Sequence, residues 1–364
     1  MFQKKNSKVT SEQVKQALST VDEPELHRDL VTLDMVKDIQ VQGGAVSFTI
    51  QLTTPACPLR GVIESTARAA VMQVAGVEDV KIKWDAKVTA NGRLGQLPMP
   101  ASNVVAVASG PGGVGKSTEA VNIAVALARS GARVGLLDAD IYGPNTPMML
   151  GVKYRPVQTP EGKLAPARAH GIVLFSMGFM VKDEQPIIWR GPMLDKAIRQ
   201  FLTDVDWGNL DYLIVDMPPG TGDAQLTVSQ AFSLAGGLIV TLPQAVSQAD
   251  ARRGLEGFRM MEVPVLGVVE NMSYLAMPDG SRMDIFGHGG GRALAEASKV
   301  PFIGEIPIDP QVRIGGDSGV PVVVSHPQSA AAQALVAVAQ DVAARVSVLN
   351  FLNQNNVIPI TEIG

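Results

Sequence analysis

One cysteine, Cys57, stands in 364 residues. No internal disulfide can form, and the chain is expected in a reducing compartment, the cytoplasm. The four histidines, His27, His170, His288 and His326, show no metal-ligand spacing and read as surface or packing residues. Long apolar runs are also missing. Nothing approaches the ~18 uninterrupted apolar residues of a membrane span, and the N-terminal stretch has no apolar h-region of a signal peptide. The late segment Ala330 to Leu349 is broken by Gln333, Gln340, Asp341 and Arg345, so it reads as an amphipathic helix laid on a core. Charged residues are only 18% of the chain and the formal net charge is −4. No basic block exists beyond Lys4-Lys5 and Lys8. Neither nucleic acid nor membrane is therefore expected as a partner.

What is present is apolar: 46% of residues are hydrophobic, enough for a large core. The length suits two domains. Residues 1–85 read as a small α+β domain. In it, Ser11 to Leu18 is helical behind a Thr10 or Ser11 cap, and Val31 to Val41 leads into a strand. Gly43-Gly44 turns a hairpin into the alternating strand Ala45 to Leu52. A helix from Pro58 to Val74 and a strand from Val77 to Trp84 follow. Residues 86–102, with Asn91-Gly92, Gly95, Pro98 and Pro100, have linker composition. Residues 103–348 alternate strands (104–108, 133–137, 172–177, 212–216, 237–242, 265–269) with helices such as 193–204 and 247–261. That alternation predicts a mostly parallel sheet covered by helices on both faces, with any ligand at the carboxyl ends of its strands. The tail 349–364 is polar and Asn-rich, and is expected to be loosely ordered.

The chemistry concentrates at Gly110-Pro111-Gly112-Gly113-Val114-Gly115-Lys116-Ser117-Thr118. This stretch satisfies the phosphate-loop pattern between a predicted strand and a predicted helix, which makes the large domain a P-loop NTPase in expectation. Nucleotide phosphates need fixed donors in place of water. Glycines let backbone N–H groups converge on them, and the helix start adds its dipole. Lys116 is expected on the β- and γ-phosphates and Ser117 on Mg²⁺. Leu137-Asp138-Ala139-Asp140 closes the next strand. Its two carboxylates are either turn caps, or Asp138 supports the Mg²⁺ shell while Asp140 positions the attacking water. Tyr212 to Asp216 is an apolar strand ending in an acid, and Asp216 would reach Mg²⁺ through water. The following Met217-Pro218-Pro219-Gly220-Thr221-Gly222-Asp223 is either a γ-phosphate sensor or a plain turn. Asn271, after the strand Val265 to Val269, carries an amide able to read an adenine edge.

In this order these segments resemble the Mrp/ApbC family of P-loop ATPases, the iron–sulfur cluster carriers related to the MinD and ParA group. Further marks are Ile141-Tyr142-Gly143-Pro144, Trp189-Arg190-Gly191-Pro192, Glu270-Asn271-Met272-Ser273-Tyr274 and Asp284-Ile285-Phe286-Gly287. The first domain, with Thr53-Thr54-Pro55-Ala56-Cys57-Pro58, resembles the PaaD-like iron–sulfur-assembly module. The resemblance implies ATP, Mg²⁺, a homodimer, an iron–sulfur scaffold and client apoproteins as partners, and delivery of clusters. It also assigns adenine contact to Asn271 and water positioning to Asp140.

Two departures qualify what the resemblance implies. Pro111 stands where the family's signature lysine is expected, so it supplies neither that charge nor a backbone donor. Hydrolysis is expected to be slow. Leu275-Ala276-Met277-Pro278-Asp279-Gly280 stands where carriers have Cys-x-x-Cys. A [4Fe–4S] cluster usually takes four thiolates, and a dimer of this chain offers two. Cys57 is either a small buried hydrophobe or, with Pro58 opening a helix, an N-capping thiol of lowered pKa. A nucleotide-gated scaffold without a cluster and a MinD/ParA-like dimerisation switch are the alternatives. The switch is disfavoured because residues 347–364 hold no Lys or Arg, so the chain does not end in a basic membrane helix.

Overall fold

The computed structural model describes residues 9–91, 99–154, 156–180, 191–220, 223–277 and 279–354. Trp189-Arg190, Thr221-Gly222, residues 92–98 of the expected linker and residues 355–364 lie outside them. The chain divides into two compact units, Met1–Thr89 and Ala90–Gly364.

In the first unit, helix α1 (Ser11–Leu18) begins at Thr10, whose side chain accepts from Gln13 N while Gln13 reaches back to the Thr10 N–H. This reciprocal capping box satisfies two orphan donors. Strands β1 (Val36–Gln42) and β2 (Ala45–Leu52) form the expected hairpin. Val46, Phe48, Ile50 and Leu52 alternate inward along β2. Helix α2 (Arg60–Met72) crosses over to β3 (Asp79–Ala86), which pairs parallel to β2. Val14, Leu18, Ile63, Ala67 and Val71 close the core from the helix side. The expected extension of β1 back to Val31 fails. Asp29 Oδ1 accepts the N–H groups of Val31 and Thr32 at 3.0 and 2.8 Å, and Asp34 takes φ +55°. A side chain here competes with the ladder for backbone donors and wins.

The second unit is an eight-stranded sheet. Its strands are β4 (Ala101–Ser109), β5 (Val134–Asp138), β6 (Ala167–Ala169), β7 (Ile172–Ser176), β8 (Leu210–Asp216), β9 (Leu234–Thr241), β10 (Val265–Glu270) and β11 (Phe302–Glu305). The order is β11-β10-β9-β4-β8-β5-β7-β6, and every pairing except β6 with β7 is parallel. Val104 to Ala108 are all buried, the continuous apolar run of a strand covered on both faces. Helices α3 (Lys116–Arg129), α4 (Thr146–Met149), α5 (Gly191–Asp204), α6 (Asp223–Ala231), α7 (Ala245–Met260), α8 (Gly290–Ala297), α9 (Pro310–Ser318), α10 (Val322–Ser325) and α11 (Ala330–Gln354) complete the unit. Helix α11 is long and apolar enough to cross a membrane by composition. Here Ala332, Leu335, Ala339, Val342 and Val346 are buried, and α11 packs on α3. It also runs six residues into the expected loose tail, because buried Asn350 donates to Asn103 Oδ1 at 2.8 Å.

Candidate functional site

The carboxyl end of β4 runs directly into the glycine loop and then α3. Gly113 and Gly115 take φ +80° and +89°, left-handed values that a side chain would strain. Gly110 is needed for a different reason: a Cβ there would strike the α7 backbone at Asp250 and Ala251. Ser109 Oγ donates to Pro111 O at 2.9 Å and closes the loop's first turn.

Beside the loop lies a cavity of about 850 Å³. Gly112, Gly113, Gly115, Lys116, Ser117, Thr118, Asp140, Pro219 and Asn271 line it. Structure thus brings together the loop, one acid of the Asp138/Asp140 pair, and the amide after β10. Lys116 is buried, and its Nζ lies 2.6 Å from Asp216 Oδ1, 3.2 Å from Ser117 Oγ and 3.5 Å from Asp140 Oδ2. The ammonium therefore bridges two carboxylates that would otherwise repel each other at close range. Asp216 is wholly buried, and burial raises its carboxyl above the usual range. The Lys116 charge and the Ser117 hydroxyl oppose that rise, and the Asp140 charge adds to it. Its second oxygen, Oδ2, is buried with no hydrogen-bond partner. A buried orphan carboxylate oxygen next to a serine hydroxyl is a hard-oxygen donor set, and it fits a divalent cation such as Mg²⁺.

Asp140 is held by its own loop: its Oδ1 accepts from Tyr142 N at 3.0 Å and Gly143 N at 3.3 Å. Asp138 has a different environment from the one its sequence position suggests. Its Oδ2 accepts from Thr146 N, Thr146 Oγ1 and Ser176 Oγ at 3.2, 2.9 and 3.0 Å, and its Oδ1 from Asp140 N at 3.2 Å. Burial, with the Asp216 charge second, raises its carboxyl. Asp138 thus anchors the Asp140 loop to α4 and β7, and its oxygens are already occupied by protein donors. Of the two roles the sequence left open for Asp138, these bonds support the capping one.

Of the two readings of Cys57, its packing against the first unit's core supports the small hydrophobe. Helix α2 starts at Arg60 with Leu59 at its N-cap position, so Pro58 precedes the helix. Burial pushes the Cys57 thiol up to about 11, and the Glu25 and Glu23 carboxylates add to the rise. The backbone N–H groups of Leu59 and Arg60 bond the thiol and act to lower its pKa, but burial outweighs them. A thiolate is disfavoured there.

Sequence reasoning missed several participants. Pro307, Ile308, Asp309, Val312 and Arg313 form the far wall of the cavity, at the start of α9. The available signal was Asp309-Pro310, an N-cap followed by proline at the first helical position. Glu119, one turn into α3, is fully buried with both carboxylate oxygens unpartnered, and burial lifts it to about 8. At the end of β10, Glu270 accepts from Ser273 Oγ at 2.6 Å and from Gly291 N, at the start of α8, at 2.5 Å. Where carriers are expected to hold a cysteine pair, a hairpin of Leu275–Ala276 with Arg282–Met283 is found. Asp279 Oδ1 accepts from Ser281 N and Oγ inside its turn. Among the described residues no group of three or more His, Cys, Asp or Glu could hold a metal.

Comparison with known proteins gives the following. A family model described as NUBPL iron-transfer P-loop NTPase matches residues 101–343. A second, described as an iron–sulfur cluster assembly protein, matches residues 11–84. An iron–sulfur cluster carrier protein of Synechocystis sp. is 53% identical over 347 residues, covering 93% of this chain and 98% of its own length. Another, from Deinococcus radiodurans, is 52% identical over 335 residues and covers 91% and 94%. The solved nucleotide-binding protein of Archaeoglobus fulgidus in complex with ADP is similar at 39% identity and TM-score 0.54, covering 60% of this chain and 87% of that one.

Proposed function

This chain belongs to the NUBPL iron-transfer P-loop NTPase family, and from that membership we propose that it binds and slowly hydrolyses magnesium-complexed ATP while handing iron–sulfur clusters to apoproteins. The observation that carries the reading is Lys116, held between Asp216 and Asp140 at the mouth of a glycine loop, with an unpartnered Asp216 oxygen beside it.

Gly110 to Thr118 supply backbone donors, and Lys116 turns from Asp216 to the β- and γ-phosphates when these arrive. Ser117 and Asp216 are the residues that would hold Mg²⁺, which when bound neutralises charge on the phosphate oxygens. Asp140, fixed by the N–H groups of Tyr142 and Gly143, orients the attacking water. Asp138 keeps that loop in place. Asn271 has one amide hydrogen and one oxygen lone pair left for an adenine edge. Pro111 brings no cation to the loop, so turnover is slow. Dimerisation and a cytoplasmic location are part of the same proposal.

The cluster is cargo, and this chain brings one thiol of high pKa to it. Thiolates from a scaffold or a client must therefore complete any cluster it handles. A second reading, a nucleotide-gated scaffold that holds no cluster, is favoured by the self-satisfied hairpin at 275–283.

Two measurements test the proposal. Calorimetry should detect Mg–ATP binding that Lys116→Ala reduces at least a hundredfold; no binding, or binding indifferent to Lys116, refutes the reading. Pro111→Lys should raise turnover at least several-fold; an unchanged rate would show that the loop's missing cation does not limit hydrolysis.

A further inference from the structure

We propose that Asn271 is a positioning residue for the phosphate loop, acting on its backbone as well as on any base. The proposal rests on the reading that this loop binds phosphate. Asn271 is fixed at the end of β10, where its own N–H bonds Thr241 O at 2.9 Å. Its Nδ2 donates to Val114 O at 2.8 Å, a buried bond from β10 to the loop. Its Oδ1 accepts from Met272 N at 2.9 Å, and Met272 sits at φ +50°. A carbonyl can only accept and a backbone N–H can only donate, so these two partners fix which way the amide faces.

The consequence lies in the next peptide. A trans peptide sets its C=O and N–H in opposite directions. With Val114 O turned to Asn271, the Gly115 N–H must face away from Asn271. Gly115 lines the cavity, and it is the residue that tolerates φ +89° there. A Cβ on Gly115 would run into the Asn271 amide, so the two residues are fitted against each other. Asn271 thereby holds one donor of the phosphate cradle in a fixed direction before any ligand comes. Fixed donors need no reorganisation on binding. The donor addresses phosphate, so removing Asn271 weakens every polyphosphate, with or without a base.

The test uses the full chain and two probes, Mg–ATP and Mg–tripolyphosphate, the second lacking a base. Asn271→Ala is expected to weaken tripolyphosphate about tenfold, in keeping with one lost buried hydrogen bond, and to weaken ATP at least as much. Tripolyphosphate affinity unchanged within twofold while ATP weakens overturns the proposal and leaves Asn271 as a base contact only. The smaller polar variant Asn271→Ser repeats the comparison should alanine abolish cooperative melting. If neither variant folds, hydrogen exchange in the natural protein decides: a protected Asn271 side-chain amide supports the bond to Val114, and rapid exchange overturns it. Lys116→Ala separates the two levels. If it leaves both probes bound, the phosphate-loop reading fails and this inference falls with it. If it abolishes binding while Asn271→Ala retains tripolyphosphate, the positioning role alone is wrong.

Discussion

Glu119 sits against expectation: a carboxyl with no partner, wholly buried one turn from a phosphate loop. Its ordinary value of 4.5 is lifted to about 8 by burial. The unfolded chain releases this proton near 4.5, whereas the folded chain holds it until about 8. Between these limits the unfolded state binds fewer protons, so stability falls as pH rises through the window and is level above it. The full loss is on the order of 5 kcal/mol. Glu119→Gln should flatten the slope of urea-unfolding free energy between pH 5 and 8.5; an unaltered slope would mean the carboxyl is solvated or paired. At this scale sequence reading divides cleanly. Asp140, Asp216 and Lys116 were legible because strand ends and a contiguous motif announce them. The anchoring role of Asp138 was not. Its partners Thr146 and Ser176 lie 8 and 38 residues away, and nothing periodic links them to it. The choice between the two readings of Cys57 stayed open because a proline two residues upstream of a helix looks the same in sequence as one that opens it.

Helix α1 shows how far an element can be read from its own residues. Thr10 and Gln13 cap it reciprocally, and both lie inside the element's own turn. Thr10→Ala should lower stability by about 1 kcal/mol, visible as a lower urea midpoint of the first unit's transition; no shift would mean the cap is idle. The phosphate loop was legible for the same reason: its glycines, lysine and serine are contiguous, so local steric need and chemistry coincide. The cavity's far wall was not. Pro307 to Arg313 lie nearly two hundred residues from the loop, and only the path of the sheet from β4 outward to β11 brings them back. The end of α11 was misread as tail because its polarity, centred on Asn350, is satisfied by a distant Asn103. Composition cannot reveal such a bond.

For the whole molecule, thiol supply limits what it can carry. In the proposed dimer two chains bring two cysteines, and each thiol is held up near 11. Anaerobic reconstitution with iron and sulfide should therefore yield well under one stable [4Fe–4S] per dimer, and Cys57→Ser should change that yield little. Full occupancy would contradict this account of the cargo. The general architecture was readable because the two units differ in periodicity: a short α+β pattern first, then alternating strands and helices. Glu270 and Asn271 carry a last consequence. These neighbours moor two separate glycine-rich segments, Glu270 at Gly291 and Asn271 at Val114. Successive residues of an extended strand point to opposite faces, and a slip of one position exchanges them. A single inserted residue before Glu270 would unmoor both segments at once. The exposed segment Asp279 to Ser281, tied by its own Asp279 side chain, can be lengthened with little harm. The chain's tolerance for insertion thus changes from nearly nil to generous within ten residues.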